Sequence, residues 1–197
     1  KVVELAPTHA LVNIDENPKQ MAHALADRGI TVVVTHPIEV TDNRKIFHLF
    51  GELFNRRREA NALITRFNAA LANLEDIPSP RRALYLIWKN PWMTVSQDTY
   101  ISRFLSLAGW QTAAHDQTIR YPEVDLNDCL LRNVDDVLFS TEPFAFNDSH
   151  ITDFQVAFPK HGHKARLINA EMVSWYGNRA ITGLRYLKSY ATNVRLT

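Results

Sequence analysis

Aromatic side chains stand out in the segments that follow the predicted strands of this sequence. A strand usually ends in a short polar turn. Here the predicted strand ALYLIW is followed by KNPWMTVSQ, the predicted strand DDVLFS is followed by TEPFAFND, and the predicted strand ARLIN is followed by AEMVSWYGNR. A fourth irregular segment, TIRYPEVD, precedes a predicted helix. The residues concerned are Trp88, Trp92, Tyr121, Phe144, Phe146, Trp175 and Tyr176. Aromatic faces give a large contact area at low entropic cost and suit flat or macrocyclic ligands. The alternative is that several of these rings close the core beneath the loops.

Sequence patterns for catalysis are weak. The sequence has no glycine-rich phosphate loop, no nucleophile elbow, no HExxH helix and no CxxC pair. We therefore predict a protein that is not an enzyme. An α/β enzyme with an unrecognised site stays open as an alternative, because residues that converge in space need not be neighbours in sequence.

Histidines suggest a second alternative, a receptor for a bare metal ion such as zinc, manganese or iron. His150 lies in NDSH, His161 and His163 lie in HGHK, and His36 precedes Pro37 at a strand end. Closely spaced histidines can bind a metal, but HGHK is typical of an exposed connection. The sequence predicts no metal site, and the histidines are favoured as structural or surface residues.

Two acidic residues, Glu142 and Glu171, each lie just beyond a predicted strand. An exposed carboxylate at such a rim is suited to pairing with an arginine of a partner protein. Ordinary surface acids are the alternative interpretation.

Hydrophobic periodicity predicts the elements that position these residues. HALVNI and ITVVVTHP read as strands on either side of a helix that ends at Gly29. Strand, helix and strand in this order indicate a parallel βαβ unit, and apolar strands without alternation should be covered on both faces. Ligands of such sheets gather at the carboxyl ends of the strands.

After residue 40 the period becomes helical, with two helices separated near 51–55. The second is expected to be about 20 residues long and to end at the prolines of DIPSPRR. Strands and helices then alternate again. The predicted fold is α/β, with two Rossmann-like parallel-sheet lobes bridged by a long backbone helix. Residues 1–40 form a partial amino-terminal lobe, which is expected to be incomplete; 41–78 form the helical region and 79–197 the carboxy-terminal lobe.

Composition excludes several classes of function. The chain has 22 basic and 21 acidic side chains, a net charge of +1 and no long block of one sign, so nothing favours nucleic acid or an anionic membrane. No apolar run approaches the roughly 20 residues of a membrane span, and the first residues lack a signal-peptide layout. We expect no direct membrane insertion and no signal peptide in this chain. Cys129 is predicted to be a small core residue of a helix.

Four segments together resemble the helical-backbone substrate-binding proteins of ABC importers, the metal-chelate receptors that bind cobalamin or siderophores. The segments are LVNIDENPKQMAHALADRGITVVVTHP, LYLIWKNPWMTVSQDTYISRFLSLAGWQ, RYPEVDLNDCLLRNVDDVLFSTEPFAF and EMVSWYGNRAITGLRYL. The resemblance covers essentially the whole chain in the family's order. It implies a non-enzymatic, periplasmic or otherwise extracytoplasmic receptor that holds its ligand between two lobes and docks on a permease.

The resemblance also implies roles for individual residues. Residues 56–75 match the bridging helix, and KNPWMT and MVSWYGNR match loops that approach the ligand. The expected ligand contacts are Trp88, Trp92, Met93, Tyr121, Phe144, Trp175, Tyr176 and Arg179, with Arg179 meeting an acidic group of the ligand. Permease docking is expected of Glu142 or Glu171, although Ser174 stands close to where the family has an acid. The ligand would be a corrinoid, haem or a ferric siderophore, and no resident cofactor is implied.

Overall fold

The computed structural model describes residues 1–74, 80–113 and 118–196. The chain divides into two compact units, Lys1–Pro37 and Ile38–Thr197. The predicted end of the long helix at DIPSPRR falls mostly in 75–79 and so lies outside the described residues. None of the helices in the described part of the chain has the length and apolar character that a membrane span requires.

The smaller unit is the predicted βαβ unit. Strand β1 (His9–Asn13) pairs in parallel with β2 (Thr31–Thr35), and α1 (Lys19–Ala26) connects them. Gly29 follows α1 with φ +78°, a left-handed conformation that glycine adopts without steric cost. The chain can therefore turn directly from the helix into β2.

The described residues leave apolar side chains of β1 and β2 exposed, as expected of a lobe with too few elements to cover both faces of its sheet. Leu11 is 48% exposed and Val34 is 53% exposed. The described residues of this unit supply one helix, α1, against a two-stranded sheet, and one helix can cover only one face of a sheet. Apolar side chains on the strands therefore stay accessible.

The larger unit contains most of the helices and strands. Its helices are α2 (Asn43–Leu53), α3 (Arg57–Ala72), α4 (Tyr100–Ser106), α5 (Asp128–Arg132), α6 (Asp148–Ala157), α7 (Ala170–Ser174) and α8 (Asn178–Leu196). Its strands are β3 (Arg81–Trp88), β4 (Met93–Thr94), β5 (Trp110–Thr112), β6 (Asp136–Ser140) and β7 (Ala165–Ile168). Short 3-10 turns lie at Val40–Asp42 and Gly162–Lys164 in this unit, and at Val3–Leu5 in the smaller unit.

The sheet of the larger unit has the order β4-β3-β6-β7, and β5 pairs with β3 beside β4. β3, β5, β6 and β7 are parallel, whereas β4 runs antiparallel to the end of β3. In the register of β6 and β7, Ser140 lies opposite Ile168. The loops after these two strands therefore start side by side at the carboxyl edge of the sheet.

Alternate residues of β3 enter two different cores. Ala83 and Tyr85 pack with residues of α3, α4 and α8 on one face, while Leu84 and Leu86 pack with residues of α5 and α6 on the other. This is the two-sided cover expected of a parallel sheet. Cys129, predicted to be buried, is exposed, because the five-residue helix α5 turns Leu131 toward the core instead.

The helical region lies within the larger unit. α2 and α3 pack against each other, and α3 also packs against α8. The predicted break between them is present at 54–56, but α3 has 16 residues where about 20 were expected. A Cβ atom on Gly51 would lie 2.6 Å from the Cβ of Ala60, so glycine at this position allows the two helices to approach.

Candidate functional site

The loop between β3 and β4 places two tryptophans at the carboxyl edge of the larger sheet. Trp88 is the last residue of β3 and is 40% exposed. Trp92 is partly buried and packs on the core under α5 and α6. The Nζ atom of Lys89 lies 5.8 Å from the ring centroid of Trp92, a cation–π distance.

The loop after β6 adds two phenylalanines, and the four rings form one aromatic cluster. The ring centroids of Trp88 and Phe144 are 5.6 Å apart, those of Phe144 and Phe146 are 4.6 Å apart, and Trp92 stacks on Phe146 at 6.1 Å with 8° between the planes. Phe146 is buried, while the other three rings are partly accessible. We call Trp88, Trp92, Phe144 and Phe146 the aromatic cluster.

A second group of side chains, the Trp175 group, consists of Glu142, Glu171, Trp175 and Arg179. The indole Nε1–H of Trp175 donates a hydrogen bond to Oε2 of Glu142 at 3.2 Å. The guanidinium carbon of Arg179 lies 5.8 Å from the Trp175 ring centroid, and its Nη2 lies 3.0 Å from Oε2 of Glu171. Trp175 is nevertheless 50% exposed.

The aromatic cluster and the Trp175 group meet in the loop after β6. Glu142 belongs to the Trp175 group, and Phe144 lies two residues further along in the aromatic cluster. The hydroxyl of Ser140, a fully buried residue, accepts a hydrogen bond from the Glu142 N–H at 3.3 Å and donates one to the Glu142 carbonyl. This loop therefore joins the two sets of predicted ligand contacts.

Met93, Tyr121 and Tyr176 lie elsewhere. All three pack on the other core, the one under α3, α4 and α8. The Tyr176 ring lies 6.4 Å from that of Tyr100, and the guanidinium of Arg120 lies 5.7 Å from the Tyr121 ring. The predicted contacts are therefore distributed over both faces of the sheet rather than gathered on one.

Tyr176 also lines a pocket of about 380 Å³ within the larger unit. The wall of this pocket is mainly apolar and comes from α2, α3 and the turn that begins α8. Its residues are Ile46, Phe47, Phe50, Gly51, Phe54, Arg56, Glu59, Ala60, Leu63, Tyr176, Gly177 and Asn178. Helical periodicity after residue 40 predicted an apolar face for α2, but it did not predict that this face would meet a turn more than 100 residues away.

The four histidines considered as metal ligands, His36, His150, His161 and His163, assemble no metal centre in the described part of the chain. Among the residues that the structure describes, no group of three or more His, Cys, Asp or Glu side chains could hold a metal ion. His161 lies 3.3 Å from Asp128, and His36 lies 3.9 Å from Asp15. The Nδ1 atom of His150 accepts a hydrogen bond from the backbone N–H of Asn147, the residue that caps α6. The His150 ring also packs on the rings of Phe144 and Phe146. The described geometry does not support the bare-metal alternative.

The fold was compared with known proteins. No protein-family model and no curated protein matches the sequence. Solved structures do match: the periplasmic vitamin B12 binding protein BtuF of Vibrio cholerae has a TM-score of 0.80 at 15% identity, covering 100% of this chain and 78% of that one. The chain has the fold of the periplasmic solute-binding proteins.

Two further neighbours have the same fold. The periplasmic heme-binding protein RhuT from Roseiflexus sp. RS-1 has a TM-score of 0.79 at 14% identity, covering 98% of this chain and 78% of that one. The ABC-type Fe3+-hydroxamate transport protein from Saccharomonospora viridis has a TM-score of 0.70 at 18% identity, covering 95% and 70%. The resemblance drawn from the sequence is confirmed at the level of the fold, and these neighbours are solute-binding proteins rather than enzymes.

Proposed function

We propose that this chain is the substrate-binding component of an ABC importer that captures a metal chelate, a corrinoid, haem or a ferric siderophore, and delivers it to a permease. The observation that carries the proposal is the arrangement of Trp88, Phe144 and Trp175 at the carboxyl edge of the larger sheet. In open α/β folds this edge is where ligands bind. Delivery to a permease follows from the fold of the neighbours and stays a prediction.

The chemistry of this edge suits a flat, bulky guest. The Trp88 and Trp175 rings are accessible: Trp88 ends β3 and Trp175 follows helix α7, which comes after β7. β3 and β7 are parallel strands on either side of β6. Such rings bury a large area on binding and lose little conformational entropy, since each has two side-chain torsions. Arg179 supplies a cation beside the Trp175 ring, and a guanidinium can pair with a carboxylate of the ligand.

A titration of intrinsic tryptophan fluorescence tests the proposal. Cyanocobalamin, haemin and ferrichrome are added separately to the protein, with free tryptophan measured in parallel to correct for light absorbed by the probe. We expect saturable quenching by one of the three. If none of them quenches saturably, the proposed function is wrong.

A substitution then locates the site. Trp175→Ala is expected to weaken binding of the active probe by more than about tenfold, because exposed aromatic anchors carry much of the binding free energy at such sites. Val156→Ala is the control, since Val156 is 77% exposed on α6 and is not among the predicted contacts. Equal affinities of the two variants would place the site elsewhere.

A further inference from the structure

The two acids of the Trp175 group are engaged inside the chain. Glu142 accepts the indole hydrogen bond of Trp175, and Glu171 pairs with Arg179, whose guanidinium lies over the same ring. Glu142 therefore binds the edge of the indole, and Arg179 packs on its face. Glu171 in turn fixes the position of Arg179. Hydrogen bonds to ionised acceptors are stronger than neutral ones, so Glu142 is suited to hold the ring.

The backbone segments that carry these side chains are themselves fixed. The Ser140 hydroxyl bonds both the N–H and the carbonyl of Glu142. The N–H of Ala170, at the start of α7, donates to Oγ1 of Thr141 at 3.0 Å. The loop after β6 and helix α7 are thus joined at the ends of two paired strands, so the acids and the ring are held at set positions.

We propose that Glu142 and Glu171 are positioning residues that hold Trp175 in one orientation before the ligand arrives. This inference rests on the proposed function, because it takes Trp175 as a contact of the bound chelate. A half-exposed indole without such contacts would have to be ordered on binding, and the entropic cost of ordering one side chain corresponds to about two- to tenfold in Kd. The role differs from the permease docking that the sequence predicted for these acids.

The first test needs no ligand. The fluorescence anisotropy and the acrylamide quenching of Trp175 are measured by difference. Each protein, parent or variant, is compared with the same protein that also carries Trp175→Phe, and the difference between the two signals is the contribution of Trp175. We expect Glu142→Ala to lower the anisotropy and increase the quenching of this component. Glu142→Gln should restore both, because its amide oxygen still accepts the hydrogen bond. Glu171→Ala should give a smaller change in the same direction, since Glu171 acts through Arg179.

Glu4→Ala is the control for loss of one exposed carboxylate. Glu4 lies in the smaller unit and is exposed. It should leave the Trp175 signal unchanged. If Glu142→Ala leaves the Trp175 signal unchanged as well, the positioning role is overturned, whether or not the protein binds a chelate.

The second test measures affinity with cyanocobalamin, haemin and ferrichrome. For the probe that the parent protein binds, Glu142→Ala should raise Kd about two- to tenfold and Glu142→Gln should return it toward the parent value. A Glu142→Ala protein with a looser Trp175 and an unchanged Kd would overturn the link to ligand capture. If the parent binds none of the three probes although Glu142→Ala loosens Trp175, the proposed function fails and the role in capture fails with it, while the contact itself stands.

Discussion

Oδ1 of Asn43 accepts a hydrogen bond from the backbone N–H of Gly177 at 2.6 Å, across 134 positions of sequence. The same side chain is fully buried and donates through Nδ2 to the Val40 carbonyl at 2.8 Å and to the Tyr100 hydroxyl at 2.9 Å. One amide therefore joins the start of α2, helix α4 and the turn after Trp175. Because Gly177 lies two residues after Trp175, Asn43 also restrains the loop that carries the indole.

Asn43→Ala should destabilise the protein by about 1–3 kcal/mol, because the carbonyl of buried Val40, the hydroxyl of buried Tyr100 and the N–H of Gly177 all lose this partner. The free energy of unfolding in urea measures the loss. Asn61→Ala is the matched control, since Asn61 is exposed on α3 and alanine is a better helix former. Equal unfolding free energies for the two variants would contradict the role given to Asn43.

The sequence predicted the elements well where hydrophobic periodicity was strong. The strands predicted at ALYLIW, DDVLFS and ARLIN, the break between α2 and α3 and the turn at Gly29 are confirmed, whereas β4, β5 and α7 were not predicted. Periodicity reports which side chains are apolar, but it does not report which residues from distant segments meet. The Asn43–Gly177 hydrogen bond and the Arg179–Glu171 ion pair therefore could not be predicted from sequence.

The sequence predicted which loops lie at the carboxyl edge of the larger sheet, but it did not predict how their side chains are arranged. Placing aromatic residues after strands located the carboxyl edge of the sheet. In KNPWMT, however, Trp92 and Met93 are neighbours in sequence and pack on opposite cores, since Trp92 ends the turn after β3 and Met93 begins β4. The direction of each side chain depends on the β3–β4 register, which no local pattern specifies.

Gly183→Ala should reverse the usual effect of this substitution in a helix. Replacing glycine by alanine within a helix normally stabilises it by about 1 kcal/mol. A Cβ atom at Gly183, however, would overlap the backbone carbonyl oxygen of Met172 and lie 3.1 Å from the Phe104 ring. Separating α8 from α7 should instead cost about 1–3 kcal/mol, measured by thermal and urea unfolding.

Thr182→Ala is the control for Gly183→Ala, since Thr182 is exposed on the same helix. Removing a β-branched residue there should raise stability by a few tenths of a kcal/mol, up to about 0.7 kcal/mol. A stabilised Gly183→Ala protein would mean that α7 and α8 are not packed as closely as the structure has them.

Asp136→Asn should be among the most destabilising conservative substitutions. The Asp136 carboxylate is fully buried at the start of β6 and accepts hydrogen bonds from Nε and Nη2 of Arg81, at 2.7 and 2.9 Å, and from Nε1 of Trp110 at 2.8 Å. The hydrogen bond with Asp136 raises the pKa of the Arg81 guanidinium. Asparagine can still accept hydrogen bonds and the Arg81 side chain is 33% exposed, so loss of the charge-assisted pairing should cost about 1.5–3 kcal/mol.

The neighbouring Asp135 gives a matched comparison for Asp136. Asp135 is exposed and accepts a hydrogen bond from the Arg82 N–H at 2.7 Å. Asp135→Asn keeps an oxygen acceptor and should cost about 1 kcal/mol or less. Urea unfolding of both variants at the same pH decides the point, and similar losses would show that the buried carboxylate is not the dominant partner of Arg81.

Stability should fall at alkaline pH because of buried tyrosines. Burial raises the pKa of Tyr85, Tyr100, Tyr186 and Tyr190 above the ordinary value of 10.0. The folded state therefore keeps protons that the unfolded state releases. The free energy of unfolding is not lowered by this effect below about pH 10, the pKa of a tyrosine in the unfolded chain. Between this pH and the higher pKa of the folded state, it falls by up to about 1.4 kcal/mol per pH unit for each tyrosine.

Tyr85→Phe tests this linkage without removing a charge at neutral pH. The variant should have a shallower decline in the free energy of unfolding between pH 10 and 11.5, while its values at pH 8 and 9 differ from the parent by a constant amount. Lysine deprotonation contributes equally to both proteins and cancels in the comparison. Parallel declines above pH 10 would show that Tyr85 ionises as readily in the folded protein as in the unfolded one.

Trp92→Ala should mainly lower the stability of the protein, whereas Trp175→Ala should mainly weaken binding of the chelate probe. Trp92 stacks on Phe146 and lies 6.3 Å from the Phe139 ring, so Trp92→Ala removes packing and should cost about 2–4 kcal/mol of unfolding free energy. Trp175 is half exposed and contacts side chains rather than the core, so Trp175→Ala should cost less than about 1 kcal/mol and still weaken binding of the active chelate probe. Urea unfolding gives the free energy of unfolding of each variant, and probe titration gives the Kd of each variant. If Trp175→Ala proved the more destabilising of the two, Trp175 would be a structural residue and the site proposed at this edge would lose its principal contact.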